Sequence, residues 1–172
     1  MREITIQASR SAILSELAKY SHTVGEQLAD DAAKARHFIQ SATDSGHLDL
    51  LVGRLDEAWM DLRHTLSAYT KAPTSCKCGC THEVCSCCGD DQDTEESEDA
   101  HAWDTDYSIV LYFPANTADG IGWDVAQCVK RYLVACARGE WEQLSGRGIG
   151  DLAEAQAQRA LSRLRVVINT RI

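Results

Sequence analysis

The sequence predicts a mainly α-helical protein, a single-domain helical bundle with one or two short β-strands and a long inserted loop. Its 172 residues include only two prolines and 6% aromatic residues, which favours helices over a many-stranded fold. Apolar residues recur at helical spacing along three long segments, and this periodicity disappears between residues 74 and 104. We therefore expect one helical domain over residues 1–172, with 74–104 as a Cys-rich and then acidic loop inside it.

The chain begins with the pattern of a strand followed by a capped helix. Ile4 and Ile6 alternate with polar neighbours, which is typical of a short strand or an extended arm. Ser9 or Ser11 is suited to cap the helix that follows, and Gly25 is expected to end or bend it. The apolar positions of this helix are Ile13, Leu14, Leu17 and Ala18.

The strongest helical signal lies in the next part of the chain. Residues 28–41 are Ala-rich and predict only a weak helix. Residues 43–46 then offer cap chemistry before a helix of about six turns, which Pro73 is expected to close. Its apolar stripe consists of Leu48, Leu51, Val52, Leu55, Trp59, Leu62, Leu66 and Tyr69.

The C-terminal half predicts a strand and two further helices. Tyr107 to Phe113 is the best strand, stopped by Pro114. A long amphipathic helix runs to about Leu144 with Gly139 inside it as a candidate kink, and Asp151 is expected to cap the last helix. The inward positions of the first helix are Trp123, Val125, Cys128, Val129, Tyr132, Leu133 and Cys136. Those of the second are Leu152, Ala153, Ala160, Leu161, Leu164, Val167 and Ile168.

These stripes predict the core. No single stripe can be buried alone, so the helices must pack face to face. Cys128 and Cys136 lie on the apolar side of their helix and are expected to act as small core hydrophobes. The predicted core residues are Leu51, Leu55, Trp59, Leu62, Ile109, Leu111, Val129, Leu133, Leu161 and Leu164.

The charge is concentrated in one run. The chain carries a formal net charge of −9, but the run 90–99 holds so many of the acids that the rest is nearly neutral. Such a body predicts no sequence-specific nucleic-acid partner and no attraction to anionic lipid. The C-terminal arginines at 159, 163, 165 and 171 are interpreted as a solvated helix face. No apolar run approaches membrane-spanning length and no signal-peptide core is visible, so we expect no membrane partner and a reducing cytosol.

Six of the eight cysteines lie between residues 76 and 88. Zinc takes four tetrahedral S or N ligands, and two cysteines from one tight turn supply a pair of them. Cys76 and Cys78 form one such arm and Cys85 and Cys88 the other, each with a glycine directly behind it. The pattern predicts a structural zinc site on these four residues, with disulfides or a loop of reduced thiols as the alternatives.

No motif in the sequence predicts catalysis. The Cys85/Cys88 pair lacks the preceding strand and following helix of a thioredoxin-like site. The acidic run lacks the alternating ligands and fixed glycine of a calcium-binding EF-hand. The glycines of 146–150 follow a helix and lack the Lys-Ser/Thr of a phosphate loop. We therefore expect a non-enzyme without catalytic residues.

The order of these elements resembles a known group of proteins. The likeness is carried by the opening Met1 to Ile6, the Ser-capped helix that follows, the Trp59 helix, the strand to Phe113 and the helix near Trp141. A chain with its elements in this order resembles small structural proteins of tailed bacteriophages and prophages of gut Bacteroidetes. A basic C-terminal helix completes the likeness, which spans most of the chain apart from 74–104. The resemblance implies a virion component that is assembled in the cytoplasm of the bacterial host.

The same resemblance implies a place and partners for the protein. It points to the head-to-tail junction, where small helical adaptor (neck) proteins form rings on the portal. The expected partners are further copies of the chain in a homo-oligomeric ring, and other virion proteins such as portal or tail components. No functional residue carries over, because the likeness has no catalytic or binding motif. The alternative interpretation is a small zinc-binding adaptor or regulatory module that uses the 76–88 cluster as its interaction surface.

Overall fold

The computed structural model describes residues 2–27, 45–70, 106–145 and 150–170. It confirms the predicted fold class, because helices dominate the described residues and two short strands accompany them. The weak helix of 28–41 and the insertion 74–104 lie outside the described residues, and a single domain over 1–172 stays a prediction. In chain order the elements are β1 (Arg2–Ala8), α1 (Arg10–Gln27), α2 (Ser45–Thr70), β2 (Tyr107–Phe113), α3 (Ile121–Leu144) and α4 (Gly150–Thr170).

The two strands form an antiparallel sheet that joins the N-terminal residues to the middle of the chain. Ile6 lies opposite Ile109 and Arg2 lies opposite Phe113, so β1 is a full strand paired within its own chain. Alternate residues are buried along both strands, from Ile6 and Ala8 on β1 to Tyr107 and Phe113 on β2. One face of the sheet therefore packs on the helices, as the period of two predicts.

Helix α1 begins where the sequence places its cap. The backbone N–H of Ala12 donates to Ser9 Oγ over 3.4 Å, and the N–H of Ile13 donates to the Ser9 carbonyl over 3.1 Å. Ser9 is thus the capping residue, and Ser11 lies inside the helix. The expectation that Gly25 ends this helix is wrong, because Gly25 is buried within it and the helix runs on to Gln27.

Helix α3 is the centre of the bundle. It contacts α1, α2, α4 and β1. It continues without a break through Gly139, where a Cβ would lie 3.4 Å from the Cβ of Ala153, so this glycine lets α3 and α4 approach closely. The largest fully buried side chains are Trp141, Phe113, Ile6, Ile13, Leu17, Leu51, Leu55, Leu62, Leu66, Leu111, Ile121 and Leu133.

Some of the expected positions are wrong or incomplete. Trp123 is 68% exposed, because it lies two residues from both Ile121 and Val125 and so on the opposite side of α3 from these buried residues. Leu152 is 49% exposed for a similar reason, since the buried stripe of α4 begins one residue later. Leu161 is half-buried and packs against the core. Asp151 is expected to cap α4, but it lies in the first turn of that helix, which already begins at Gly150. The other nine predicted core residues are buried.

Candidate functional site

The predicted zinc ligands Cys76, Cys78, Cys85 and Cys88 all lie outside the described residues. Their zinc site therefore stays a prediction. Within the described ranges, no group of three or more His, Cys, Asp or Glu side chains is placed to hold a metal ion.

The two remaining cysteines are packing residues, as the sequence predicts. Cys128 and Cys136 are buried free thiols on α3. Burial raises the pKa of both thiols, although Arg163 and Arg131 lower that of Cys128 in part. Both side chains are therefore protonated near neutral pH, where a thiol is a poor nucleophile.

A buried charged cluster ties the start of α1 to α2 and β2. Arg10, only 7% exposed, donates from Nη2 to Asp56 Oδ1 over 2.5 Å and from Nε to the Tyr107 hydroxyl over 3.2 Å. The Tyr107 hydroxyl donates to the same Asp56 oxygen over 2.7 Å, and its ring stacks on Trp59. Burial, and then the bond to Asp56, raises the pKa of Tyr107 to about 12. Since each group binds another member, the cluster acts as a brace between three elements.

A second cluster joins α1 to the end of α3. Glu142 Oε1 accepts hydrogen bonds from the Tyr20 hydroxyl over 3.0 Å and from Arg138 Nε over 2.8 Å. The Arg138 guanidinium lies 3.9 Å from the centre of the Tyr20 ring, and that ring meets Trp141 edge-on. This arrangement pairs one oxygen of the buried carboxylate and holds the two helices together, while no described group binds Glu142 Oε2.

The side of β2 that faces away from β1 borders a groove. The groove has a volume of about 510 Å³ and is lined by α2 and β2 without any residue of β1. Met60, an apolar side chain that is 59% exposed, stands on the α2 wall. Ser108, Ile109 and Val110 form the other wall. Among the described residues the sheet has only its two strands, so no described strand covers this edge of β2.

A larger groove lies over α3, between α1 and α4. Its volume is about 760 Å³. Leu17, Val134 and Ala160 are apolar lining residues, and Glu16 is the only acidic one among the described residues. We call it the basic groove after the basic side chains that line it: Lys19, Lys130, Arg131, Arg138, Arg159 and Arg163.

No sequence pattern predicts this groove. From the sequence, Arg159 and Arg163 are interpreted as a solvated helix face, because no pattern shows that they share a groove with Lys19 and Arg131 of other helices. The available signal was weak, since Arg159 and Arg163 are four residues apart and so share one side of α4. Only the packing of α1 and α4 against α3 shows the basic groove.

Comparison with known proteins finds no match for this chain among family models, curated proteins or solved structures. None of the helices in the described part of the chain has both the length and the apolar character needed to cross a membrane. The grooves, the sheet edge and the buried clusters are therefore the features of the molecule that bear on its function.

Proposed function

We propose that this protein is a non-enzymatic structural protein that works by self-association. The specific role we propose is an oligomeric head-to-tail connector of a tailed-phage virion, with portal or tail proteins as its neighbours. The observation that carries the proposal is the outer edge of β2, which borders a groove beside the exposed Met60.

The sheet edge supports association because of its backbone chemistry. A two-stranded sheet is marginally stable by itself, and each strand leaves one row of N–H and C=O groups without a partner strand. A strand from another copy would add hydrogen bonds to β2 and cover Met60 at the same time. Contacts of this head-to-tail kind close into rings when the rotation between copies is suitable.

The buried clusters support a structural role over a catalytic one. Arg10, Asp56 and Tyr107 bind each other, and Arg138 binds Glu142. Cys128 and Cys136 have raised pKa values through burial. Arg10, Asp56 and Tyr107 join α1, α2 and β2, and the Tyr20 hydroxyl joins α1 to Glu142, as expected of a rigid building block.

Native mass spectrometry of the purified chain tests self-association. We expect one closed oligomer over a wide concentration range. Met60→Lys should shift the mass towards the monomer, because it places a charge in the groove where the added strand packs. Leu50→Lys is the matched control on the same helix, since Leu50 is 52% exposed and does not line the groove. A monomer at every concentration, or equal effects of the two variants, would contradict the proposal.

Negative-stain electron microscopy tests the connector role separately. A connector is expected to form a ring with a central channel. A compact dimer without a channel would contradict the connector role, while self-association through β2 would still hold.

A further inference from the structure

The basic groove is separate from the sheet edge on which the proposed function rests. No residue of α2 or β2 lines it, whereas those two elements form the groove at the sheet edge. A strand added at the sheet edge would therefore not cover the basic groove.

Three helices shape the basic groove as a channel. Helices α1 and α4 both pack on α3, so the strip of α3 between them forms the floor. Gln127, Arg131, Val134 and Arg138 follow each other along this strip at spacings of three or four residues. A channel of this form, in which apolar and basic side chains alternate, suits a polypeptide segment that lies along it.

The charge of the groove is only partly compensated. Glu16 pairs with Lys130, and Arg138 is held by Glu142. Within the described residues, no ion pair neutralises Lys19, Arg131, Arg159 or Arg163, and all four line the same groove. Arg131 and Arg163 come from different helices, and both act electrostatically on Cys128, so both charges lie near this thiol. Four concentrated positive charges favour a strongly acidic occupant.

We propose that the basic groove binds an acidic polypeptide segment, namely residues 90–99 of a second copy of this chain. Seven of these ten residues are Asp or Glu, which complements the uncompensated bases of the groove. The inference rests on the proposed function, because it names a contact between copies.

Two observations favour this occupant over others. Neither α2 nor β2, the elements that flank the insertion, lines the groove, so a neighbouring copy can supply the segment without the insertion crossing its own bundle. A nucleic acid fits less well, because the groove has apolar lining residues and the chain carries a net charge of −9.

A peptide-binding assay tests the groove by itself. The receptor is the full-length chain in which the seven acids of 90–99 are changed to their amides, and the probe is a fluorescent peptide of residues 89–100. We expect saturable binding of one peptide per chain, weakened by added salt. Arg163→Gln should weaken binding about threefold, as expected for an exposed charge pair. Arg165→Gln is the matched control, because Arg165 is exposed on the same helix but does not line the groove.

The results that would overturn the inference are specific. They are an absence of binding, equal effects of Arg163→Gln and Arg165→Gln, or tighter Arg163-dependent binding of a single-stranded oligonucleotide with the same charge. If the oligomer forms but the peptide does not bind, this inference fails alone. If the peptide binds but the chain is always monomeric, the groove takes the acidic run without a second copy, and both the proposed function and the contact between copies fail.

A mixing experiment tests the source of the segment. A tagged amide variant has a vacant groove, so it should capture untagged wild-type chains, and Arg163→Gln in the tagged chain should reduce that capture. Failure to capture wild-type chains would show that the run does not bind a second copy. The circular dichroism spectrum of the amide variant checks that it retains the helical fold.

Discussion

Arg10 shows how this fold buries a charge. A guanidinium that is only 7% exposed would be costly unless its donors were paired, and Asp56 and Tyr107 accept two of its hydrogen bonds. The three residues are far apart in sequence, and no pattern marks them as neighbours. Only the packing of α1, α2 and β2 brings the three residues together.

Tyr107 makes the stability of the protein sensitive to high pH. Its pKa is raised from 10.0 to about 12 in the folded state, so between these values the unfolded chain loses the proton while the folded chain keeps it. The stabilising contribution is complete below pH 10 and is lost as the pH rises towards 12, by at most about 1.4 kcal/mol per pH unit. Tyr107→Phe should remove part of this dependence; the remainder includes Tyr132, whose pKa burial also raises.

Urea unfolding between pH 8 and 12 measures this effect. Tyr107→Phe should also lower the free energy of unfolding near neutral pH by about 1–2 kcal/mol, because Asp56 loses a hydrogen bond. Tyr112→Phe is the matched control on the same strand, where the side chain is only half-buried. If the free energy of unfolding depended on pH in Tyr107→Phe as it does in the unchanged protein, the raised pKa of Tyr107 would be contradicted.

At the scale of elements, amphipathic periodicity predicted the helices well. The stripe of α2 places Leu51, Leu55, Leu62 and Leu66 in the core as expected, because a regular helix repeats its buried face every three to four residues. Trp123 shows the limit of the same method. Its apolar character suggested burial, but its angular position on α3 puts it on the exposed side.

Two helical glycines should respond in opposite ways to alanine. A Cβ at Gly53 of α2 would meet no atom within 4 Å, so Gly53→Ala should stabilise the protein by about 0.5–1 kcal/mol. A Cβ at Gly122 of α3 would lie 2.8 Å from Cγ2 of Ile4 on β1, so Gly122→Ala should destabilise it by about 1–3 kcal/mol. Denaturant unfolding of both variants gives the comparison, and a stabilising Gly122→Ala would contradict the close packing of α3 on β1.

At the scale of the whole molecule, the bundle is organised around α3. Three helices and one strand contact it, and both the basic groove and the Tyr20–Glu142 cluster depend on residues that it supplies. The sheet edge and the basic groove lie on different elements, so the two contact surfaces that we propose are separate. Two unlike surfaces on one chain are what a ring with head-to-tail contacts requires.

The cysteine-rich segment leads to a prediction about the metal content of the protein. Protein purified under reducing conditions should contain one zinc ion per chain, bound by Cys76, Cys78, Cys85 and Cys88. Elemental analysis should show that Cys85→Ser lowers the zinc content, whereas Cys128→Ala leaves it unchanged because Cys128 is buried in the helical core. Zinc-free protein, or cysteines found paired as disulfides after blocking with an alkylating agent, would contradict the site.

The sequence by itself determined the helical class, the strand to Phe113, a serine cap at Ser9 or Ser11 and most of the core, because each depends on a period or a local bond that neighbouring residues encode. Tertiary structure alone decided that Arg10 meets Asp56 and Tyr107, and that Lys19, Arg131 and Arg163 share one groove. Such contacts join residues of different helices and strands. Their formation depends on how whole elements rotate and pack, which no local pattern specifies.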